Sequence, residues 1–371
     1  MRFGTMQNVR TRTVLLWDIM KFCGLALSVF KKHMKQQTYF RNLWIRLYGV
    51  VLLLAIGLLT SCAQPPVKTP EISDADIFDA LIALPAVPED VEVNPKRGEI
   101  YVVYRHYPYL TVLDAASGEI LASVPLPKSS HRIGIHPGTN RIYVIHKQRG
   151  SMSVIDGTTH TLITRLDVGR WPRNIVVNTA TNMLYVSDEK EDRVQVIDGA
   201  TNTLVQSIPV GRTPRGITVN PVTNRIYVAN WQDDTVSVID GTTTEVVDTL
   251  AVGSAPEALA VESELNKAFV SNLLSSNVYV LDGANDHGIV GVIPVQEVPG
   301  SLTVDEEHNW LFVTNTDAHS ISIVDVFSLH VLDTAPTQEF PLDVAANPTT
   351  GQLYVIHRDQ PALFVVDIVT D

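Results

Sequence analysis

Cysteine is almost absent: the 371 residues hold two, Cys23 and Cys62. Neither lies in a CxxC or CxxCH spacing, so no disulfide framework, thiol redox motif or haem attachment of that type is expected. Motifs that place a nucleophile or cradle a phosphate are missing too. There is no GxSxG, no HExxH, no P-loop, and no GxGxxG in a strand–helix setting. A site assembled from scattered loops would leave no such motif, so catalysis is not thereby excluded. Positive charge is scarce beyond the N-terminus. Residues 1–61 carry nine Lys/Arg and one Asp, and the remainder carries 19 basic against 39 acidic residues, a formal −20. General nucleic-acid binding needs a basic footprint, and this composition excludes it. The same charge keeps a domain soluble above an anionic membrane. No cofactor is implied.

What the chain has in abundance is itself. Seven copies of one unit recur at a period of 42 residues, with one step of 43. The aromatic of an IYV-type unit marks each copy: Tyr101, Tyr143, Tyr185, Tyr227, Phe269, Phe312 and Tyr354. An aspartate after an apolar run keeps the same step: Asp114, Asp156, Asp198, Asp240, Asp282, Asp325 and Asp367. In the fourth copy, alternating and β-branched residues predict strands over Gly216–Val219, Arg225–Ala229, Thr235–Ile239 and Glu245–Val252. Asn-Pro, Asp-Asp, Asp-Gly and Gly…Pro turns separate them. Four strands per unit of about 42 residues predict an all-β fold, a seven-bladed β-propeller with four antiparallel strands per blade. The seventh copy lacks its fourth strand, while Ile77–Val87 ahead of the first copy matches an outermost strand. The N-terminal strand should therefore complete the last blade and remove an edge that would otherwise template aggregation. The marker tyrosines should lie between blades, and the marker aspartates should accept backbone hydrogen bonds in their turns.

Ile226–Asn230 (IYVAN), Val236–Gly241 (VSVIDG), Val210–Gly216 (VGRTPRG) and Val313–Asn315 (VTN) resemble the YVTN family of seven-bladed propellers, over roughly residues 76–371. The resemblance implies the fold. It leaves function open, since relatives serve as cell-surface proteins, periplasmic binders and neighbours of redox enzymes.

Leu59-Thr60-Ser61-Cys62 looks like a bacterial lipobox. The apolar run Leu47–Leu59 precedes it, with Arg41 and Arg46 in front, which is the n-region and h-region order of a signal peptide. A plain transmembrane anchor is the alternative, but the run is shorter than the ~20 residues a span needs. The resemblance implies that Cys62 is lipidated and becomes the first mature residue, with acyl chains that anchor durably. It also implies that, in a host with two membranes, the absence of Asp directly after Cys62 points to the outer one. The expected organisation is a leader over 1–61, a lipid-anchored tether over 62–75 with the Pro-rich Ala63–Pro70, and the propeller over 76–371. Val14–Phe30 is a second apolar stretch, interrupted by Asp18 and Lys21. A start at Met34 gives a signal peptide of 28 residues; a true cytoplasmic extension or second membrane segment is the other reading.

Two kinds of loop share one propeller face: those entering the first strand of each blade and those between the second and third strands. This face varies between copies, which suits recognition. Aligned on the loop proline, blades two to four carry Lys128 and His131, Arg170 and Arg173, Arg212 and Arg215. Blades five, six, seven and one carry Glu257, Glu297, Glu339 and Glu89. A basic arc facing an acidic arc would make an anion site at the channel mouth. Alternatively the arcs offset each other, or each Arg pairs with a nearby carboxylate. Three residues past the aromatic marker lie Tyr104, His146, Asp188, Asn230, Asn272, Asn315 and His357. Asn ties the turn in this pattern, and Tyr104, His146 and His357 on consecutive blades would either converge for acid–base work or replace Asn as caps. No metal is expected, because only two imidazoles are available. Trp231 and Trp171, with Tyr107 and Tyr109, sit on the same face and either stack a ligand or pack between blades. The reading is a monomeric, non-enzymatic envelope lipoprotein whose variable face binds a protein or an anionic small molecule. A lactonase-like propeller hydrolase or lyase, using His146, His357 and rim carboxylates, is the alternative.

Overall fold

The first strand of every blade runs beside the first strands of its two neighbours, and that of the seventh meets that of the first. The ring is therefore closed. This computed structural model describes residues 70–71, 80–283 and 288–370. The chain divides into two units, Met1–Val67 and Lys68–Asp371. The first unit lies outside the described residues, and with it the leader, the Met34 start and Cys62. No helix among the described residues is long and apolar enough to cross a membrane.

Blade four shows the pattern. Its strands are Pro214–Asn220, Arg225–Asn230, Thr235–Asp240 and Glu245–Ala251, all antiparallel and paired in chain order. The second and third strands are buried almost throughout, and the fourth lies outermost with exposed residues such as Val246 and Val247. The local chemistry at the turns is what the repeat demands. Asp240 Oδ1 accepts from the backbone N–H groups of Thr242 (2.7 Å) and Thr243 (3.2 Å), and Asp114, Asp156 and Asp198 do the same. Asn140, Asn182, Asn224, Asn266 and Asn309 take φ between 51° and 60°, a region Asn enters more readily than most residues. The turn between the third and fourth strands then bonds the turn between the first and second, as in Gly241 N–H to Asn224 O at 2.8 Å. That places both turns on one face. On the other face, the loop entering a blade bonds the loop between its second and third strands, as in Trp231 N–H to Thr213 O at 3.1 Å.

Each junction between neighbouring blades has its own apolar cluster. The marker aromatics sit in these clusters, pointing to the next blade: Tyr143 joins residues of blade three, and Tyr354 joins residues of blade one. All seven are at most 1% exposed. Full burial of such a ring contributes about 1.5–3 kcal/mol.

Closure follows the expected route. Ala80–Ala83 pairs antiparallel with the third strand of blade seven, Ala362–Asp367, in the register Ala80↔Val365 to Ala83↔Ala362. Leu84 N–H continues the edge to Pro361 O at 2.9 Å. A second clasp, Pro70–Glu71 on Val369–Thr370, lies beyond it.

Candidate functional site

The mouth is built from two rings of seven positions, each keeping the period of the repeat. The first ring follows the loop proline, or Ser130 in blade two: Glu89, His131, Arg173, Arg215, Glu257, Gly300 and Leu342. The second begins the loop after the second strand: Arg105, Lys147, Glu189, Trp231, Leu273, Thr316 and Arg358. Below them the channel opens into a cavity of about 430 Å³, reaching Glu92, Arg132 and Asp343. A second cavity of about 380 Å³ adjoins the mouth over blades one to four and includes Lys147, Gln148, Trp171, Arg173 and Arg215.

The charged groups form a continuous network. Arg105 and the Nδ1 of His131 both donate to Glu89 Oε1 at 2.8 Å. An Arg173 Nη donates to Nε2 of the same ring, and its other Nη donates to Glu257 Oε1 at 2.6 Å. Arg215 takes the remaining oxygen, Oε2, at 2.5 Å. Lys147 stands 2.7 Å from Glu189, and the Nε atoms of Arg173 and Arg215 each lie 4.0 Å from the same carboxylate. A donor on one ring nitrogen and an acceptor at the other lock His131 as the neutral Nδ1–H tautomer. Burial, with the charges of Arg132 and Arg173, pushes its pKa down to about 3. Burial would raise Glu89, but the bonds from His131 and Arg105 overcome it and hold the carboxyl at about 2. Glu257 is likewise held below the usual range, with Arg173 and Arg215 outweighing its burial. Burial and the nearby Arg173 push Lys147 down to about 8 in spite of Glu189. Deeper in the channel, Arg132 pairs with Asp90 at 2.9 Å, and Ser301 bonds Asp343. Burial first, and then Asp343, lifts the Glu92 carboxyl to about 8 and raises Asp90 as well.

These positions correct the picture of two arcs. Blade five adjoins blade four, so Glu257 reaches Arg173 and Arg215 directly and belongs to the basic network. Blade one adjoins blade two, so Glu89 does the same with His131. Lys128, Arg170 and Arg212, two residues before the proline position, stand on the outer rim and are exposed, as are Glu297 and Glu339. Arg170 is 3.7 Å from Glu191, and Arg212 is 2.6 Å from Asp233. Arg173 and Arg215 thus share a cavity, whereas Arg170 and Arg212 pair locally on the surface.

The ring of Tyr104, His146 and His357 points into the blades. Tyr104 O–H donates to Thr111 at 2.9 Å, and His146 Nε2 bonds Ser153 at 2.8 Å. Both partners lie seven residues on, as Ser237 does for Asn230 (2.9 Å) and Ser322 for Asn315 (2.9 Å). His357 is buried against Phe364, ring centroids 4.6 Å apart. Burial drives His146 down to about 3 and His357 to about 4. None of the three lines either cavity of the mouth. The entering loop packs against this tie: a Cβ on Gly211 would fall 2.6 Å from Asn230 Cγ. In a strand, neighbouring side chains face opposite ways, so the mouth is lined one residue further on, at Arg105, Lys147, Glu189 and Arg358. Period-2 alternation applied to this ring is the signal that would have found them.

The aromatics divide. Trp231 lies under the Arg215 guanidinium at 4.2 Å, and Trp171 carries Lys190 at 3.8 Å and Lys147 at 5.6 Å. Tyr107 packs edge-on against Tyr104 and beside Tyr109, within blade one. Among the described residues no cluster of three or more His, Cys, Asp or Glu is arranged to hold a metal.

No curated protein matches this chain. Among solved structures, the fold resembles the hydrazine synthase of Kuenenia stuttgartiensis, with a TM-score of 0.67, 16% identity, and coverage of 81% of this chain and 100% of that one. At that identity the likeness speaks for the fold alone. The YNCE-like β-propeller family matches residues 174–368. That span exceeds half of the sequence and falls on blades three to seven, so the chain belongs to the YNCE-like β-propeller family.

Proposed function

We propose that this is a non-enzymatic envelope lipoprotein, anchored through Cys62, whose propeller mouth binds an anionic small molecule or an acidic loop of a partner protein. The observation that carries the reading is the charge of the two rings. Their fourteen positions hold five cations, Arg105, Lys147, Arg173, Arg215 and Arg358, against three carboxylates, Glu89, Glu189 and Glu257. With His131 neutral, the mouth is positive in a domain whose formal charge is −20. Low-dielectric walls around such a mouth focus its field and speed the arrival of anions. Arg173 and Arg215 already hold Glu257 by one oxygen each, which is the geometry in which they would hold a ligand carboxylate. The hydrolase or lyase alternative needs His146 and His357 at the channel, and both are buried inside their own blades.

The test is a thermal-shift and calorimetric titration of the full-length protein with small carboxylates, phosphates and envelope extracts. Loss of a charge-assisted bond costs about 1.5–3 kcal/mol, so Arg173→Ala and Arg215→Ala should each weaken binding roughly tenfold or more. Glu257→Gln removes the internal competitor and should strengthen it. Equal shifts in wild type and all three variants would reduce the mouth to ordinary surface charge.

A further inference from the structure

The mouth has one cation too many for its carboxylates on the side of blades two to four. Lys147, Arg173 and Arg215 converge on Glu189, and the two arginines also share Glu257. Three cations thus divide two carboxylates. All three side chains are largely shielded, with exposures of 21%, 17% and 22%, so water does little to screen them. Arg215 Nε is buried and makes no hydrogen bond among the described residues. All three cations line the cavity of about 380 Å³, which Trp171 borders with Ser129, Ser130 and Gln148. Both a free positive charge and the space for its partner are therefore present in one place.

We propose that this cavity takes a ligand with a single carboxylate and a flat aromatic body, the carboxylate completing a cluster of three cations and three carboxylates with Lys147, Arg173 and Arg215. This deepens the anion-binding reading of the mouth and rests on it. The arginines offer planar forks suited to a carboxylate, and Trp171 offers the apolar wall for a ring. Trp171 is only partly buried, and its ring now carries the ammonium of the exposed Lys190 at 3.8 Å, with Lys147 at 5.6 Å; Lys190 ends a flexible stem, so a ligand ring takes its place on that face.

A consequence distinguishes this from loose attraction. In the free protein, burial and the like charges of Arg173 and Arg215 lower Lys147 to about 8, and only Glu189 opposes them. A carboxylate placed beside Lys147 stabilises its charged form and returns its pKa toward the ordinary 10.5. Binding therefore takes up a proton above pH 8. By linkage, affinity is flat below about pH 7 and falls by up to tenfold per pH unit between about 8 and 10.

The experiment is calorimetry of the full chain with indole-3-carboxylate, acetate and inorganic phosphate, each from pH 6.5 to 10, in buffers of different ionisation enthalpy. Indole-3-carboxylate should bind at least tenfold more tightly than acetate or phosphate, with proton uptake above pH 8. Lys147→Arg keeps the charge and removes the titration, so it should bind comparably and lose the pH slope. Lys147→Gln should bind at least tenfold more weakly at pH 7. Acetate or phosphate binding as well as the indole acid, or a wild-type affinity that is flat to pH 10, overturns the proposal while leaving an anion-binding mouth. No binding of any of the three, with folded protein throughout, removes the anion-binding reading itself.

Discussion

His146 stands where three other blades carry asparagine, and the reason is visible in its bonds. Its Nε2 reaches Ser153 as Asn230 reaches Ser237, so the imidazole serves as a longer amide. The substitution carries a cost in acid. Burial keeps this ring neutral down to about pH 3, while in the unfolded chain it takes a proton near 6.5. The unfolded state binds more protons between those values, so this stability is complete above pH 6.5 and declines as pH falls toward 3. At pH 5 the loss is about 2 kcal/mol for one such histidine. His146→Asn should melt close to wild type at pH 7.5 and be less depressed at pH 5. Parallel melting curves of the two proteins from pH 7.5 to 5 would show that the imidazole is not the titrating group. His131 follows the same sign, but its bonds to Glu89 and Arg173 tie it to the mouth, so a change there would disturb the binding network as well.

Among the elements, the strand from Ala80 to Ala83 does the most with the fewest residues. Four pairs with Ala362–Asp367 cover the last free edge of the ring, and Ile82 packs into the cluster shared by blades seven and one. Deleting 77–84 should leave blade seven with three strands and produce aggregation or a broadened melt. A monomer with unchanged melting temperature would refute closure by this strand. Ala80 and Val365 face each other in register, so the double substitution Ala80→Cys and Val365→Cys should cross-link on oxidation and raise the melting temperature. The repeat pattern gave the existence of this strand through the missing fourth strand of the seventh copy. Its extent was less legible, because edge residues such as Leu81 are exposed and leave no clean alternation.

At the scale of the whole molecule, the proposed anchor and the proposed binding site lie on different parts of the chain. The mouth belongs to loops of all seven blades, with its charged groups on blades one to five and seven, while the proposed lipid site, Cys62, precedes the described propeller. Cys62→Ala should block lipidation and signal cleavage by the lipoprotein route, so that the chain remains as an uncleaved precursor or is released. The soluble form should keep the anion response of the mouth. Mass spectrometry of the wild type that found an intact N-terminus with unmodified Cys62 would remove the anchor and leave the propeller as described.

The architecture was legible in the chain alone, because a period of 42 residues with four alternating strands leaves one economical way to bury seven half-covered sheets. So was the turn chemistry, since Asp240 and Asn224 act on backbone groups two to three residues away or on the adjoining turn. The site took its form only once the blades were arranged in a ring. Aligning loops by sequence grouped Arg170 with Arg173, although one stands on the rim and the other in the mouth. It set Glu257 opposite the arginines it holds, and it read the second ring one residue short of Lys147 and Glu189. The physical reason is that a ring brings together residues 42 or 84 positions apart, such as Arg173 with His131 and with Glu257. Which charges share a cavity then depends on the direction each side chain takes from its strand, and on how little water remains between them.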